Sequence, residues 1–178
     1  MTHEVIDVDS SALDRSVRDS YRMLSGRAAK GVAVVSTVVG RYDHATTVTD
    51  YLSVSYDPPT MLVSLYGLSR TAEAVDEAGR WALSLLASDQ RTIADELGEL
   101  GAPLRGLLAR TPHWRRELGA PAIIDGCVAW FECRTTAVHD AATHTLVVGE
   151  VVAMGRSDDH DATPLVHYRS EYGTTQRR

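Results

Sequence analysis

The chain has 178 residues, of which 44% are hydrophobic, and it carries a formal net charge of −6 at pH 7. This length is enough for one domain with a core of its own. The negative charge argues against a nucleic-acid surface, because neutralising phosphates requires a basic patch. No apolar run reaches the length of a transmembrane helix, so no membrane association is expected. The acidic N-terminus lacks the basic and apolar regions of a signal peptide, which predicts a cytoplasmic protein.

The predicted elements follow a loose tail at residues 1–14. From residue 15 to residue 178 the pattern predicts a single domain. Apolar residues at helical spacing predict a first helix, namely Val17, Tyr21, Leu24 and Ala28. Strand-like segments follow near 31–39, 45–56 and 60–66.

The segment 46–59 is the most informative part of the chain. Its dense hydroxyl groups suit a strand that borders a polar ligand better than one that faces a dry core. Pro58 and Pro59 cannot donate ladder hydrogen bonds, so they end this strand and turn the chain. After the next apolar strand, the sequence at 69–71 predicts a helix start, whose free N–H groups can hold a phosphate. This order suggests a phosphorylated planar cofactor.

The later elements continue the mixture of strands and short helices. A helix near 70–79 is predicted to stop at Gly79, and a strand is predicted over 81–86. Asp89 is the expected N-cap of a helix over 90–97. The segment 98–119 is predicted to form short helices and loops that cover the site. Two β-rich runs, 127–138 and 145–154, are predicted to pair as a hairpin with a rather long connection at 139–144.

Several of these segments together resemble one family. The pattern S-V-S-x-D-P-P at 53–59, followed by S-x-T at 69–71, is similar to that of the flavin reductase family of FMN-binding split barrels. The strand at 31–37 and the strand ending in D-Q at 81–90 resemble the same family in the same order. The resemblance covers roughly residues 20–173. It implies a mainly β fold, a split β-barrel with a few flanking α-helices.

The resemblance also implies an activity, NAD(P)H:flavin oxidoreductase. Hydride would pass from NADH, or NADPH, to FAD or FMN, with FAD narrowly preferred. Alignment of two rings suffices for this transfer, so no residue is assigned a catalytic role. A homodimer is implied, and the reduced flavin would diffuse to a partner flavin-dependent monooxygenase. No metal site is expected, because the spacing of His139 and His144 matches no standard ligand signature.

The resemblance assigns binding roles to two groups of residues. The nicotinamide contacts would be His144 and Arg169. Lys30, Asp50 and Ser84 differ from the residues that family members usually carry, and we expect Asp50 to oppose an anionic flavin unless Lys30 or Arg70 neutralises it. The flavin contacts would be Lys30, Thr47, Val48, Thr49, Asp50, Tyr51, Ser53, Val54, Ser55, Ser69, Arg70, Thr71 and Ser84.

Other interpretations remain open from the residues themselves. Ser69 could be a plain helix N-cap, Arg70 a solvated cation and His144 a surface turn residue. A flavoprotein with a resident flavin could catalyse its own oxidation, and a non-catalytic split-barrel protein could hold flavin or haem. A purely structural protein is disfavoured by the polar strand near 46–55.

Overall fold

The computed structural model describes residues 15–99, 106–159 and 161–176. The predicted tail at 1–14 lies outside these residues. Within them the chain is mainly β, with three helices and twelve strands. The helices are α1 (Arg15–Ser25), α2 (Arg70–Ala78) and α3 (Arg91–Gly98), and the strands are β1 (Lys30–Gly31), β2 (Ala33–Val39), β3 (Tyr42–Val48), β4 (Tyr51–Tyr56), β5 (Pro59–Tyr66), β6 (Arg80–Leu85), β7 (His113–Trp114), β8 (Ile123–Ile124), β9 (Ala129–Ala141), β10 (His144–Arg156), β11 (Leu165–Tyr168) and β12 (Glu171–Thr174).

A seven-stranded antiparallel sheet dominates the fold, in the order β3-β2-β6-β9-β10-β5-β4. Its two edge strands, β3 and β4, are joined by only Thr49 and Asp50. A connection this short spans at most about 11 Å between the flanking Cα atoms. The sheet therefore curls so that the end of β3 and the start of β4 lie close together. The backbone N–H of Ser64 on β5 donates to the carbonyl of Asp50 at 2.8 Å, which extends the pairing of β4 with β5 into this link.

This topology corrects the prediction of one strand over 45–56. The chain breaks at Thr49 and Asp50 because the two halves pair with different neighbours, β3 with β2 and β4 with β5. The predicted proline turn is confirmed: β4 ends at Tyr56, the Asp57–Pro58 peptide bond is cis, and β5 begins at Pro59.

The curled sheet buries apolar side chains on both faces. Ala33 and Val35 of β2 pack inward with α2, while Val34 of the same strand packs outward. The outer cluster includes residues of α3 and β8, which cover this part of the sheet. Strand β2 is therefore buried on both faces, and this accounts for its uninterrupted run of apolar and small residues.

The helix ends agree with the sequence in part. Gly79 ends α2 in the left-handed conformation at φ 62°, and its N–H donates to the Val75 carbonyl, as predicted. Helix α3 has Gln90 rather than Asp89 at its N-cap position. The Gln90 amide instead accepts from the Ala87 N–H and donates to the Asp125 carbonyl. These bonds hold the turn before α3 without an acidic cap.

The first helix and the late hairpin also differ from expectation. Helix α1 ends at Ser25, before the predicted Ala28, and it buries no side chain. The hairpin connection is only Ala142 and Thr143, since His144 already pairs with Ala141. The polar residues of 139–141 join the ladder because backbone bonds, not side-chain polarity, define these pairs. In the part of 98–119 that the structure describes, 98–99 and 106–119, turns and β7 follow the end of α3, and no separate short helix forms.

Candidate flavin and nicotinamide site

An ion pair joins β1 to the link between the two edge strands. The Lys30 ammonium lies 2.5 Å from the Asp50 carboxylate, and both side chains are partly exposed to solvent. Thr49 lies beside it and donates a long hydrogen bond of 3.5 Å to the same carboxylate. The negative charge of Asp50 is therefore balanced locally by Lys30, which is one of the two arrangements expected from the sequence.

The ring of Tyr51 lies against the neighbouring strand at Gly31. A Cβ added to Gly31 would lie 3.3 Å from Tyr51 Cζ and still closer to the hydroxyl oxygen. Only a glycine leaves room for this approach. Burial raises the pKa of the Tyr51 hydroxyl above its ordinary value, so this group stays protonated over the physiological range.

Three hydroxyls that the sequence assigned to the flavin form hydrogen bonds within the protein. Thr47 donates to the Ala94 carbonyl of α3 at 2.8 Å. Ser55 bonds both the N–H and the carbonyl of Asp57. Ser84 is buried and accepts from the Ile124 N–H at 3.1 Å. These hydrogen bonds fix the strands, α3 and the proline turn. On β4, the side chains that are exposed at the surface include Ser53 and Val54.

The start of α2 has the geometry of a capped helix. Ser69 is the N-cap, and its hydroxyl oxygen accepts from the Ala72 N–H at 3.1 Å. Arg70 is exposed at the first position, whereas Thr71 is 8% exposed and belongs to the interior. The N-cap interpretation of Ser69 is therefore correct, and the remaining first-turn N–H groups are the ones that can meet an anion.

His144 lies next to this helix start. Its ring makes an edge contact with Tyr66, the last residue of β5, at 5.9 Å between centroids. The Gly67 N–H donates to the Thr143 carbonyl, and the Ser69 N–H donates to the Tyr66 carbonyl. These bonds tie the β9–β10 turn to the loop before α2. Together they border a depression of about 340 Å³.

A continuous series of contacts connects these parts of the predicted site. Lys30 pairs with Asp50, and the Asp50 carbonyl bonds Ser64 of β5. Two residues further along β5, Tyr66 is the register partner of His144. The structure therefore brings together Lys30, the Thr49–Asp50 link, the end of β5, His144 and the start of α2.

Arg169 lies in a different place from His144. It is the first residue of the two-residue turn between β11 and β12, at φ 52°, and its N–H donates to the Gly26 carbonyl after α1. His167 of the same strand is the register partner of Lys30. Arg169 therefore lies two residues past the partner of Lys30, and it lines a separate depression against α1.

The residues present fit a phosphorylated ring system. Around the β3–β4 link, Lys30 of β1 offers an ammonium, Thr49 a hydroxyl and Tyr51 of β4 a phenol, which are donors of the kind that a flavin's polar edge requires. The first turn of α2 offers N–H groups for one phosphate. Its acidic residue, Glu73, works against an anion there, whereas Arg70 in the same turn favours one.

Two further features of the described residues concern metal ligands and helix length. Among the described residues, no group of three His, Cys, Asp or Glu side chains is arranged to hold a metal ion. None of the helices in residues 15–99, 106–159 and 161–176 is both long and apolar enough to cross a membrane.

The fold is mainly β, with a polar surface around the link between its two edge strands. A family model described as a flavin reductase like domain matches residues 25–176. The chain belongs to this family, as the motif at 53–59 predicted.

Relatives and solved structures agree with this assignment. The NADH-dependent FMN reductase SmoA of Agrobacterium fabrum is 33% identical over 160 residues, which are 89% of this chain and 87% of SmoA. HsaB of Mycobacterium tuberculosis, the reductase subunit of a flavin-dependent monooxygenase, is 27% identical over 86% of this chain and 80% of its own length. The crystal structure of BorF, the flavin reductase component of a bacterial two-component tryptophan halogenase, is 28% identical with a TM-score of 0.82, covering 90% of this chain and 99% of BorF.

Some features of the site were not found from the sequence. Tyr66 was not singled out, although its place just before the helix start at 69–71 could have drawn attention to it. The contact between Gly31 and Tyr51 joins residues 20 positions apart. It depends on how the small sheet of β1, β11 and β12 lies against β4, for which the sequence carries no local signal.

Proposed function

We propose that this protein is an NADH-dependent flavin reductase that supplies reduced flavin to a separate flavin-dependent oxygenase. The observation that carries this proposal is the contact series from Lys30 through Asp50 to His144 and the start of α2, in a chain that belongs to the flavin reductase-like family. The relative SmoA is named for NADH-dependent FMN reduction, which supports the proposed reaction. The relative HsaB is named as the reductase subunit of a flavin-dependent monooxygenase, which supports the proposed partner.

The flavin is held by the β3–β4 link and the start of α2. Thr49, Asp50 and Tyr51 border its ring, with Ser53 and Val54 further along β4, and the first turn of α2 meets its phosphate. Val48, Thr71 and Ser84 support these residues from the interior, and Thr47 and Ser55 support them through hydrogen bonds to α3 and to the proline turn. When bound, the flavin accepts a hydride from the nicotinamide.

The protein's own contribution is alignment and electrostatic balance. The Lys30 ammonium is placed to favour negative charge on a ligand at this surface, and it also offsets the charge of Asp50. The Tyr51 hydroxyl, whose pKa is raised by burial, is a hydrogen-bond donor and not an anion. His144, fixed by Thr143 and Tyr66, contacts the nicotinamide. No proton transfer by a side chain is needed, which fits the alignment mechanism.

We propose that the curled sheet is a split barrel and that 15–178 is a single domain. The joining of β3 to β4 by two residues supports the barrel, since it brings opposite edges of one sheet together. The match of one family model to 25–176 supports the single domain.

We also propose a homodimer. The outer face of β4, β5, β10 and β9 carries an apolar row that no other element of the described chain covers. Register pairing places Leu52 beside Leu62, Leu62 beside Val148, and Val148 beside Ala137, and Leu52 is 51% exposed. A second copy would bury this row. Sedimentation of the protein and of Leu52→Glu tests this: the variant should be monomeric, and an unchanged mass would place the interface elsewhere.

A cytoplasmic location is part of the proposal. NADH and a partner oxygenase are available there, and the two described cysteines are free and buried, as suits a reducing compartment.

Charge substitution at the Lys30–Asp50 pair tests the site. Lys30→Met leaves Asp50 unbalanced beside the flavin, and we expect the KM for FMN to rise about tenfold, corresponding to about 1.4 kcal/mol. Asp50→Asn frees the ammonium and should leave this KM unchanged or lower it. Arg110→Met is the matched control, because it breaks another exposed ion pair, with Glu96. Equal effects of Lys30→Met and Arg110→Met would exclude a specific role for Lys30.

A further inference from the structure

A basic depression lies between the end of α1 and the turn that joins β11 to β12. Its volume is about 320 Å³, and its charged lining consists of Arg22, Arg27, Arg169 and one acidic residue, Asp19. The net charge of this lining is +2, in a chain whose net charge is −6. Among the described residues, none of the three guanidinium groups has a carboxylate within ion-pair distance. The depression therefore attracts anionic groups.

The turn that presents Arg169 has a sequence that its backbone does not favour. Arg169 and Ser170 have φ angles of 52° and 67°, in the left-handed region where asparagine and glycine are preferred. The Arg169 N–H donates to the Gly26 carbonyl at 3.0 Å, which fixes the turn against the end of α1. An arginine in this conformation costs stability, so its side chain is expected to have a use outside the turn.

Helix α1, which forms the other wall of the depression, buries none of its side chains. Met23 lines the depression and is 59% exposed, and Tyr21 and Leu24 on the same helix are also at least half exposed. Short helices are marginal in water on their own and normally depend on packing. Arginine, tyrosine and methionine are enriched in protein–protein interfaces. Helix α1 therefore has the exposure and the composition of a surface that another protein covers.

The exposure of the three arginines favours an extended partner over a small anion. All three are exposed to solvent, so water screens each guanidinium and a single ion pair there contributes little. A protein segment that carries several carboxylates and apolar side chains contacts the arginines and Met23 together. The small contributions of the separate contacts then add up.

A second copy of this chain and a membrane are poorer matches to the depression. In a two-fold dimer the same patch of both subunits meets, so the arginines would face arginines. The homodimer proposed above uses a different face, the row that contains Leu52 and Leu62. A lipid surface would require a flat or convex basic face, whereas these arginines line a concavity.

We propose that this surface, formed by the three arginines and Met23, docks an acidic segment of the oxygenase that receives the reduced flavin. Carboxylates of that segment form charge-assisted hydrogen bonds with the guanidinium groups. Arg169 lies two residues past His167, the register partner of Lys30, so the docked protein lies close to the Lys30 end of the flavin site. Opposite charges speed the encounter of the two proteins, which suits the transfer of a flavin that leaves after reduction. This inference rests on the proposed function.

Binding of a synthetic peptide tests the docking surface. The probe is a fluorescent peptide of alternating glutamate and leucine pairs, and its control has glutamine in place of glutamate. The glutamate peptide should bind the protein, and binding should weaken about tenfold or more at about 1 M ionic strength. Arg22→Glu and Arg27→Glu should each weaken binding about tenfold, because charge reversal replaces an attraction by a repulsion. Arg156→Glu is the matched control, since Arg156 is exposed at the end of β10 and outside the depression, and it should not change binding.

Arg169→Asn separates docking from folding. Asparagine is favoured in the left-handed region, so urea unfolding should show at least the wild-type stability. The affinity for the glutamate peptide should nevertheless fall about threefold, because one guanidinium is removed.

Several results would overturn the docking surface. Equal binding of the two peptides would do so, as would unchanged affinity in Arg22→Glu and Arg169→Asn. Binding of phosphatidylserine vesicles without binding of the peptide would assign the depression to a lipid surface. A lower sedimenting mass of Arg22→Glu would assign it to a second copy.

Reductase activity distinguishes failure of this inference from failure of the proposed function. Arg22→Glu should oxidise NADH with FMN at the wild-type rate, since Arg22 belongs to neither the flavin nor the nicotinamide contacts. If the wild type reduces FMN but does not bind the peptide, only the docking surface is wrong.

Discussion

The contact between Gly31 and Tyr51 gives a sharp test of the site geometry. In Gly31→Ala the new methyl group would lie 3.3 Å from Tyr51 Cζ and would overlap the hydroxyl oxygen. The ring must then move away from β1, or the strands must separate. Overpacking of this kind costs about 1–3 kcal/mol of unfolding free energy.

Tyr51→Phe removes the atom that causes the overlap. The Tyr51 hydroxyl has no hydrogen-bond partner in the part of the chain that the structure describes, so this change alone should cost less than about 1 kcal/mol. The double variant should therefore recover at least about 1 kcal/mol of the loss seen in Gly31→Ala. Urea unfolding of the four proteins measures this coupling, and the KM for flavin should rise in Gly31→Ala. Additive losses of stability would refute the contact.

Three further predictions concern other parts of the molecule. Arg80→Met should lower the unfolding free energy by about 3 kcal/mol, because among the described residues it leaves the Glu132 carboxylate, which is 1% exposed, with only Arg116 as a partner. Arg116→Met should cost about 1 kcal/mol or less in the same urea assay, and equal losses would contradict this asymmetry. His144→Ala should raise the KM for NADH more than the KM for flavin, whereas His139→Ala on the same hairpin should change neither; equal effects on both substrates would remove the assigned role of His144. Burial raises the pKa of Cys127 to about 11 and that of Cys133 to about 12. Neither thiol should therefore react with a thiol reagent in the native protein near neutral pH, and both should react once the protein is unfolded. Rapid labelling of the native protein would show that these thiols are accessible.

The local parts of the fold could be predicted from the sequence. The double proline, the apolar run after it and Gly79 at the end of α2 each act within a few residues, so their effects are visible in the chain itself. The family motif at 53–59 and 69–71 identified the family for the same reason, since its residues are close in sequence.

The non-local parts could not be predicted. The residue pattern over 45–56 fits one continuous strand as well as it fits two strands on opposite edges of the sheet. Only the pairing of β4 with β5 distinguishes these two structures. The partners of hydroxyl groups could not be predicted from the sequence either. Thr47 and Ser84 look like ligand-binding groups in sequence, but in the fold their hydrogen bonds go to α3 and to the backbone of β8. The prediction of a long connection in the β9–β10 hairpin was wrong, because polar residues at 139–141 suggested a loop.

The most direct measurement of the central claim is NADH oxidation by the purified protein, followed by absorbance, with FMN, FAD or no flavin added. We predict turnover that requires added flavin and rises with its concentration to saturation, since the flavin is a substrate that leaves after reduction. Oxidation of NADH at a rate that does not depend on added flavin, or no oxidation with either flavin, would contradict the account.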